Sequence, residues 1–282
     1  MTTRVQPRDK KVLTNGLNIH YLDWGKESSP VIVLLHGLRG HAHTWDSFAE
    51  AVSVDYRVLA LDQRGRGDSD WAPDGKYSST EAYVQDLAGL CDALKLPPFI
   101  LIGHSMGGRN GMLFTARYPE RVKKFAVVDI PPLPIPEGAD RIRQEILRVP
   151  EEFDTFEDVF KHLRKENSLP PEDVLRRRLK YQTKVLPNGK IGWKYDKAIR
   201  DQWRAGITGP TEDLWWAWKK ITCPVLIVRG MVTDTLLPDM AKRMKDSVPN
   251  GTILDVPRAH HMVMEENPQG FYTGVKKWIE ST

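Results

Sequence analysis

Short runs of apolar residues recur along the chain, and stretches with a helical pattern separate them. The runs are rich in branched residues and too short for helices, which is typical of strands buried on both faces of a mainly parallel sheet. They are VIVLL at 31–35, RVLAL at 57–61, FILI at 99–102, FAVV at 125–128, VLIV at 225–228 and TILDV at 252–256.

One intervening stretch, STEAYVQDLAGLCDALKL, shows the helical pattern clearly. It starts with Ser-Thr, residues that commonly cap helices, and it places Tyr83, Leu87, Leu90 and Leu94 on one stripe. Strands that alternate with such helices form βαβ units. The sequence therefore predicts an α/β fold, with a mainly parallel sheet flanked by helices.

The start of the chain follows a different pattern. Asn15-Gly16 separates KVLT from LNIHYLDWG, and apolar residues alternate on both sides of this pair. An Asn-Gly pair between two alternating segments favours a two-residue hairpin turn. We therefore expect the sheet to begin with two antiparallel strands.

The segment from 131 to 222 lacks the apolar strand pattern. It opens with the proline-rich PPLPIPEG, contains the helix candidates TFEDVFKHLRKE and LPPEDVLRRRLKYQ, and has a hairpin signal at Asn188-Gly189. Strand-like runs resume after it. We therefore predict an inserted, mostly helical cap at 131–222, carried by a core of residues 1–130 and 223–282.

Composition narrows the class of protein. The 282 residues, 40% of them hydrophobic, suffice for a substantial core. No apolar run is long enough to cross a bilayer, and the charged start MTTRVQPRDKK is not followed by a signal-peptide core. We expect a cytoplasmic protein that does not bind membranes.

Cysteine usage and charge add two further expectations. Cys91 and Cys223 lie far apart in apolar surroundings, which predicts free thiols, and no residues show metal-ligand spacing. The net charge is +4, and residues 141–200 hold 15 lysines and arginines against 10 aspartates and glutamates. Since aromatic residues do not interleave with these charges, we interpret them as a solvated helical face and expect no nucleic-acid partner.

The stretch ILIGHSMGGRNG places a serine between two glycines. Ser105 directly follows the predicted strand FILI and precedes a stretch that can form a helix. At a sharp strand-to-helix turn, flanking glycines let the helix and the neighbouring strands approach, and the hydroxyl is forced outward at the carboxyl edge of the sheet. Ligands bind at this edge in open α/β sheets. The context predicts Ser105 as a nucleophile.

A nucleophilic serine needs a base, a group that orients the base, and donors for the oxyanion. His36-Gly37 directly follows the run VIVLL, and a glycine-bearing loop at this point can direct a main-chain N–H toward the serine. We predict that the amides of Leu38 and Met106 form the oxyanion hole, and that His36 is a structural histidine that holds the loop.

Five motifs follow one another in order: HGLRG, LDQRGRGDS, GHSMGG, VLIVRGMVTD and AHHMVMEENPQGF. With them the chain resembles the α/β-hydrolase superfamily, of the capped esterase and lipase-like type, over nearly the whole core. The resemblance implies the α/β-hydrolase fold and a nucleophile, an acid and a histidine in that chain order.

The resemblance implies an acid in one of two places. Asp234 fits the family pattern of a glycine, three residues and an aspartate ahead of a proline, and we favour it. Asp129, at the end of FAVVD, is the alternative, because some family members draw their acid from that strand.

For the base, the resemblance favours His261, seven residues before Pro268. His260 then occupies a place where the family commonly has glycine. Because this sequence departs from the family there, His260 stays open as the alternative base.

The resemblance implies a serine hydrolase that cleaves a small or medium carboxylic ester through an acyl-enzyme, with water as the second substrate and no metal or organic cofactor. A thioesterase, a lactonase or a carbon-carbon bond hydrolase would use the same residues, and a non-catalytic receptor on this scaffold is the alternative of another class. Ser105 argues against epoxide hydrolases and haloalkane dehalogenases, which use an aspartate nucleophile. Arg39, Trp45 and Arg109 are close in sequence to the predicted pocket and are candidates for substrate binding.

Overall fold

The computed structural model describes residues 5–75, 77–206 and 212–281. The described residues form one large sheet and one small sheet. The strands are β1 (Arg8–Thr14), β2 (Leu17–Trp24), β3 (Val31–Leu35), β4 (Arg57–Leu61), β5 (Phe99–His104), β6 (Val122–Val128), β7 (Glu152–Phe153), β8 (Thr183–Val185), β9 (Ile191–Trp193), β10 (Val225–Gly230) and β11 (Gly251–Val256).

The large sheet has eight strands in the order β1-β2-β4-β3-β5-β6-β10-β11. The pairs β1–β2 and β2–β4 are antiparallel, and every other neighbouring pair is parallel. The predicted mainly parallel α/β architecture is confirmed. Parallel strands bring their carboxyl ends to one edge, so the loops after β3, β5, β6, β10 and β11 all leave from the same side.

Helices of the described residues flank both sheets. They are α1 (Asp46–Val52), α2 (Thr80–Ala93), α3 (Met106–Arg117), α4 (Pro136–Arg148), α5 (Phe156–Glu166), α6 (Glu172–Gln182), α7 (Lys197–Arg204), α8 (Trp215–Trp218), α9 (Pro238–Asp246), α10 (Val263–Glu266) and α11 (Pro268–Glu280). Short 3₁₀ helices span Ala42–Trp45 and Pro119–Arg121. Within the described ranges, every helix is too short or too polar to traverse a bilayer.

The strands are apolar throughout because helices cover both faces of the sheet. In β3, Val33 and Leu35 belong to the core layer that contains side chains of α2 and α3. Ile32 and Leu34 alternate with them and belong to the opposite layer, with side chains of α1 and α11. Successive strand residues point to opposite faces, so a strand with two covered faces needs apolar residues at every position.

The hairpin prediction at the start of the chain is confirmed. β1 pairs with β2 from Arg8 opposite Asp23 to Thr14 opposite Leu17. Asn15 and Gly16 between them both have positive φ, 48° and 76°. This backbone is that of a type I′ turn, which favours Asn-Gly because other residues adopt it at a cost.

The segment 131–222 leaves the sheet after β6 and returns to it at β10, the neighbour of β6. It contains α4 to α8 and the small antiparallel sheet β7-β9-β8, so the predicted hairpin at Asn188-Gly189 is confirmed. Two of its helices, α5 and α6, share an apolar cluster that includes Phe160, Leu163 and Leu179. The division of the chain into a core and a cap stays a prediction.

Both cysteines are free thiols, as predicted. Cys91 is buried and Cys223 is partly buried. Burial raises the pKa of both thiols.

Two histidines near the end of β3 are buried and neutral. His36 Nδ1 lies 2.7 Å from the Gly37 carbonyl oxygen, and His36 Nε2 accepts a hydrogen bond from the Gln63 amide at 2.9 Å. This pattern requires the tautomer with the proton on Nδ1, and it ties the loop after β3 to the end of β4. Burial lowers the pKa of His36 to about 4 and that of His41 to about 3.

These histidines predict that acid destabilises the fold. Their folded-state pKa lies below the unfolded value of 6.5, so between pH 6.5 and about 4 the unfolded chain binds more protons than the native chain. We expect the free energy of unfolding, measured in urea, to fall by about 1.4 kcal/mol per pH unit for each histidine as the pH decreases through this window.

A matched pair of variants tests whether His36 causes this dependence of the unfolding free energy on pH. His36→Gln should reduce the dependence of the unfolding free energy on pH, whatever its effect on stability at pH 7. Ser28→Ala replaces an exposed side chain that does not titrate and should leave the dependence as it is in the wild type. A wild-type free energy of unfolding that is constant between pH 6.5 and 5 would contradict the account.

Candidate active site

Ser105 lies at a tight turn between β5 and α3. Its backbone is strained, with φ 52° and ψ −120°. A Cβ at Gly103 would lie 2.3 Å from the Gly107 carbonyl oxygen, and a Cβ at Gly107 would lie 2.4 Å from the Leu35 carbonyl oxygen. Since no Cβ fits at either distance, the two glycines let β5, α3 and β3 approach, and the turn presents the Ser105 side chain at the sheet edge.

His261 lies in the loop between β11 and α10, and its imidazole contacts two side chains. Nε2 lies 2.9 Å from Ser105 Oγ, and Nδ1 lies 2.9 Å from Asp129 Oδ2. A carboxylate only accepts hydrogen bonds, so Nδ1 carries the proton and Nε2 is free to accept from the serine hydroxyl. The arrangement can remove a proton from Ser105.

Asp129 follows β6 directly and is completely buried. Its Oδ1 accepts a hydrogen bond from the Gly230 amide at 3.2 Å, and its Oδ2 accepts one from Thr233 Oγ1 at 2.7 Å. These donors come from the end of β10 and from the loop after it. A buried carboxylate requires such partners, and they fix its position against His261.

The structure corrects the expectation that Asp234 is the partner of the histidine. The Asp234 side chain is 50% exposed, and both of its oxygens bind the Arg141 guanidinium, at 2.5 and 2.7 Å. This ion pair holds the pKa of the Asp234 carboxyl below its usual value. The physical reason is that β6 and β10 are parallel neighbours, so both loops reach the same edge, and the carboxylate after β6 is the one that turns inward.

The structure also distinguishes the two adjacent histidines. The His260 side chain is 53% exposed, and its Nδ1 lies 3.7 Å from Glu266 rather than near Ser105. The main-chain amide of His260 donates to the Glu266 carboxylate, which holds the loop. Of the two imidazoles, the structure brings that of His261 to Ser105.

His104, immediately before Ser105, supports the loop that carries His261. The sequence did not indicate this role. Its Nε2 donates a hydrogen bond to the His261 carbonyl oxygen at 2.8 Å, and the two rings lie 4.7 Å apart. Burial lowers the pKa of His104 well below its ordinary value, so this ring is neutral. The only sequence signal was its place in GHSMGG beside the serine.

The loop after β3 passes directly against the serine. A Cβ at Gly37 would lie 3.2 Å from Ser105 Cβ. Leu38 follows in this loop and lines the same cavity as Ser105. Met106 is the first residue of α3, where the main-chain amides have no acceptor within the helix. The two predicted oxyanion residues therefore flank Ser105.

The structure places only one of the three candidates for substrate binding, Arg39, at the cavity. Arg39 lines the cavity beside Ser105. Trp45 is 1% exposed and packs in the core, with its ring 6.1 Å from that of Phe271. Arg109 is also buried, and its guanidinium donates to the carbonyl oxygens of Pro132 and Glu212, each at 2.6 Å. The expectation is corrected for Trp45 and Arg109, because sequence proximity to the loops did not give the direction of their side chains.

The cavity beside Ser105 has a volume of about 430 Å³. The loops at the sheet edge form one wall, and residues of the segment 131–222 form the other. Residues of the segment that line it include Arg141, Ile146, Leu163, Arg178 and Trp193. A small molecule that fills this space would contact both parts of the chain.

One cluster of the described residues has the residue types of a metal site. Ligand atoms of His20, Asp62 and Asp68 lie within 4.8 Å of one another. However, Asp62 Oδ2 already binds His20 Nδ1 at 2.7 Å, and Lys194 Nζ lies 2.6 Å from Asp68 Oδ2. These bonds account for the cluster as a structural network, and we assign it no ion.

Comparison with known proteins agrees with this fold. The family model described as the α/β hydrolase fold matches residues 30–268. The sn-1-specific diacylglycerol lipase ABHD11 of Mus musculus is 30% identical to this chain over 93% of the chain and 85% of the relative. The 2-(acetamidomethylene)succinate hydrolase of Mesorhizobium japonicum is 27% identical over 91% of this chain and 90% of the relative.

A solved structure is similar along the whole length. The crystal structure of E-2-(acetamidomethylene)succinate hydrolase matches with a TM-score of 0.88 at 25% identity, over 98% of this chain and 100% of the other. The family match, the relatives and the shared architecture lead to one conclusion: the chain belongs to the α/β-hydrolase family.

Proposed function

We propose that the protein is a serine hydrolase that cleaves small or medium carboxylic esters through an acyl-enzyme, with Ser105 as nucleophile, His261 as base and Asp129 as the acid. The observation that carries the proposal is the hydrogen-bonded chain from Ser105 Oγ through the His261 imidazole to Asp129, with 2.9 Å at each step. Nucleophile, base and orienting group are the three parts that such catalysis requires.

In the first half of the reaction, Ser105 Oγ attacks the ester carbonyl carbon while His261 Nε2 accepts its proton. The carbonyl oxygen becomes an oxyanion, which the amides of Leu38 and Met106 stabilise. The imidazolium then gives the proton to the leaving alcohol as the carbon-oxygen bond breaks, and the acyl group stays on Ser105.

In the second half, water replaces the alcohol. His261 takes a proton from the water as the water oxygen attacks the acyl carbon, and it returns the proton to Ser105 when the acid product leaves. Both substrates and both products are accounted for without a metal or an organic cofactor.

Asp129 acts through His261. Its carboxylate holds the Nδ1–H tautomer and stabilises the imidazolium that forms in each step. The bonds from Gly230 and Thr233 keep the carboxylate in one orientation. Since a carboxylate without solvent holds its partner more strongly than an exposed one, Asp129 suits this role better than the half-exposed Asp234.

The segment 131–222 acts in this proposal as a cap that forms the substrate pocket. Its residues form one wall of the cavity of about 430 Å³. This volume lies in the ordinary range of small-molecule sites, which supports an ester of modest size as the substrate. The names of the two relatives, a lipase and a hydrolase, agree with hydrolysis.

The role of the serine predicts a large loss in Ser105→Ala. We expect kcat for p-nitrophenyl acetate and butyrate to fall about 10⁴- to 10⁶-fold, because the variant has no nucleophile. A fluorophosphonate probe should label Ser105 in the wild type, as mapped by peptide mass spectrometry. Ser28→Ala, which changes an exposed serine, is the control. A loss below tenfold in Ser105→Ala would reject the nucleophile.

The same Asp→Asn substitution should change kcat by very different amounts at Asp129 and at Asp234. Asp129→Asn should lower kcat about 10⁴-fold, because the amide cannot hold the Nδ1–H tautomer or stabilise the cation. Asp234→Asn should lower it less than about tenfold, since it affects only a partly exposed ion pair. Steady-state kinetics on p-nitrophenyl butyrate decide between them. The reverse order would return the acid role to Asp234.

A further inference from the structure

Arg39 lines the cavity beside Ser105, and its side chain has no polar partner among the residues that the structure describes. No carboxylate among residues 5–75, 77–206 and 212–281 lies within 4 Å of it, and its side chain makes no hydrogen bond to those residues. The main chain of Arg39 is fixed, since Gln182 Nε2 donates to its carbonyl oxygen at 2.7 Å. The backbone of Arg39 is therefore anchored, while its side chain is left to bind a ligand.

The other arginines that line the cavity are neutralised. Arg141 binds Asp234 at 2.5 and 2.7 Å and Glu145 at 2.5 Å. Arg178 Nη1 binds Glu265 at 2.6 Å. These cations have partners within the chain, so they do not need a ligand to balance their charge.

None of the acidic residues that line the cavity forms an ion pair with Arg39. Asp234 and Glu145 are held by Arg141, and Glu266 accepts hydrogen bonds from Asn167 Nδ2 and the His260 amide. Glu166 is exposed at the end of α5. Of the three arginines that line the cavity, Arg39 is thus the one that forms no ion pair with a carboxylate of the described residues.

This charge has an energetic cost that an anion would offset. Burial is the main cause that lowers the pKa of Arg39, and the charges of Arg178 and Arg200 also lower it, whereas Tyr195 and Glu145 raise it. An arginine in such surroundings is less favourable than one in water until an opposite charge binds. The planar guanidinium matches a carboxylate with two parallel hydrogen bonds.

The position of Arg39 connects the charge with the reaction. It follows Leu38, whose amide we assign to the oxyanion, in the loop that passes against Ser105. A group bound to Arg39 and a carbonyl carbon at Ser105 therefore occupy the same cavity. An ester that also carries a carboxylate can engage both groups within this cavity.

We propose that Arg39 binds a free carboxylate of the substrate, so that the ester cleaved at Ser105 is an anion, such as a half-ester of a short dicarboxylic acid. This inference rests on the proposed function. It makes Arg39 a specificity-determining residue that contacts the end of the substrate remote from the scissile bond.

The test compares two esters of similar shape, monomethyl succinate, which is an anion, and methyl 4-methylpentanoate, in which two methyl groups replace the carboxylate oxygens. We expect the wild type to hydrolyse the anion with a kcat/KM at least about tenfold higher. Arg39→Gln should lower the ratio of the two kcat/KM values about tenfold to a hundredfold, the effect of a lost hydrogen bond to a charged group.

Two further variants separate charge from geometry. Arg39→Lys keeps the charge but loses the planar fork, so its ratio should lie between those of the wild type and Arg39→Gln. Arg176→Gln makes the same change in net charge on α6, at an arginine that pairs with Glu157 and Glu172 away from Ser105. Its ratio should equal that of the wild type.

A binding measurement does not depend on turnover or on the stability of Arg39→Gln. Calorimetric titration of Ser105→Ala should give a Kd for monomethyl succinate at least about tenfold lower than that for methyl 4-methylpentanoate. Equal Kd values, a wild-type kcat/KM ratio near one, or an Arg39→Gln ratio equal to the wild-type ratio would each overturn the assignment of Arg39.

The two proposals fail in different ways. If the wild type hydrolyses both esters equally well and Ser105→Ala hydrolyses neither, the serine mechanism holds and the carboxylate site is wrong. If hydrolysis persists in Ser105→Ala, the proposed function is wrong, and the calorimetric comparison still decides whether Arg39 binds the anion.

Discussion

The hydrogen bond between the buried Asp129 carboxylate and His261 is the interaction on which the site depends. His261 lies in a loop, and its orientation toward Ser105 follows from what holds its other ring nitrogen. Asp129 supplies that contact from the end of β6, and Thr233 and Gly230 hold Asp129 in turn. The carboxyl ends of parallel strands meet at one edge of the sheet. Ser105 and His261, which are 24 and 132 positions from Asp129 in the sequence, therefore meet at the same site as Asp129.

Most of the fold was predictable because its pattern is local. Strands covered on both faces must be apolar at every position, and a type I′ turn strongly prefers Asn-Gly. The serine was predictable for the same reason, since the distances at Gly103 and Gly107 show that the turn around Ser105 leaves no room for a side chain at either glycine. In each case the physical requirement is local, so a few consecutive residues are enough to predict the structure.

The parts of the site that could not be predicted depend on contacts between distant residues. Asp129 and Asp234 follow neighbouring parallel strands, so strand order alone does not decide which carboxylate meets the histidine. The decision rests on Arg141, a residue of α4 that binds Asp234, and on Thr233, which binds Asp129. Trp45 and Arg109 show the same limit. Thr44, next to Trp45, and Ser105, four residues before Arg109, line the cavity, but the side chains of Trp45 and Arg109 themselves are buried in the protein.

The proton between Asp129 and His261 can be observed directly. Proton NMR of the protein in water should show a strongly deshielded resonance from His261 Nδ1–H, the mark of a charge-assisted hydrogen bond to the buried Asp129 carboxylate. The account predicts that this resonance is present in the wild type and in Asp234→Asn and is lost in Asp129→Asn. A resonance that survives in Asp129→Asn and disappears in Asp234→Asn would contradict it.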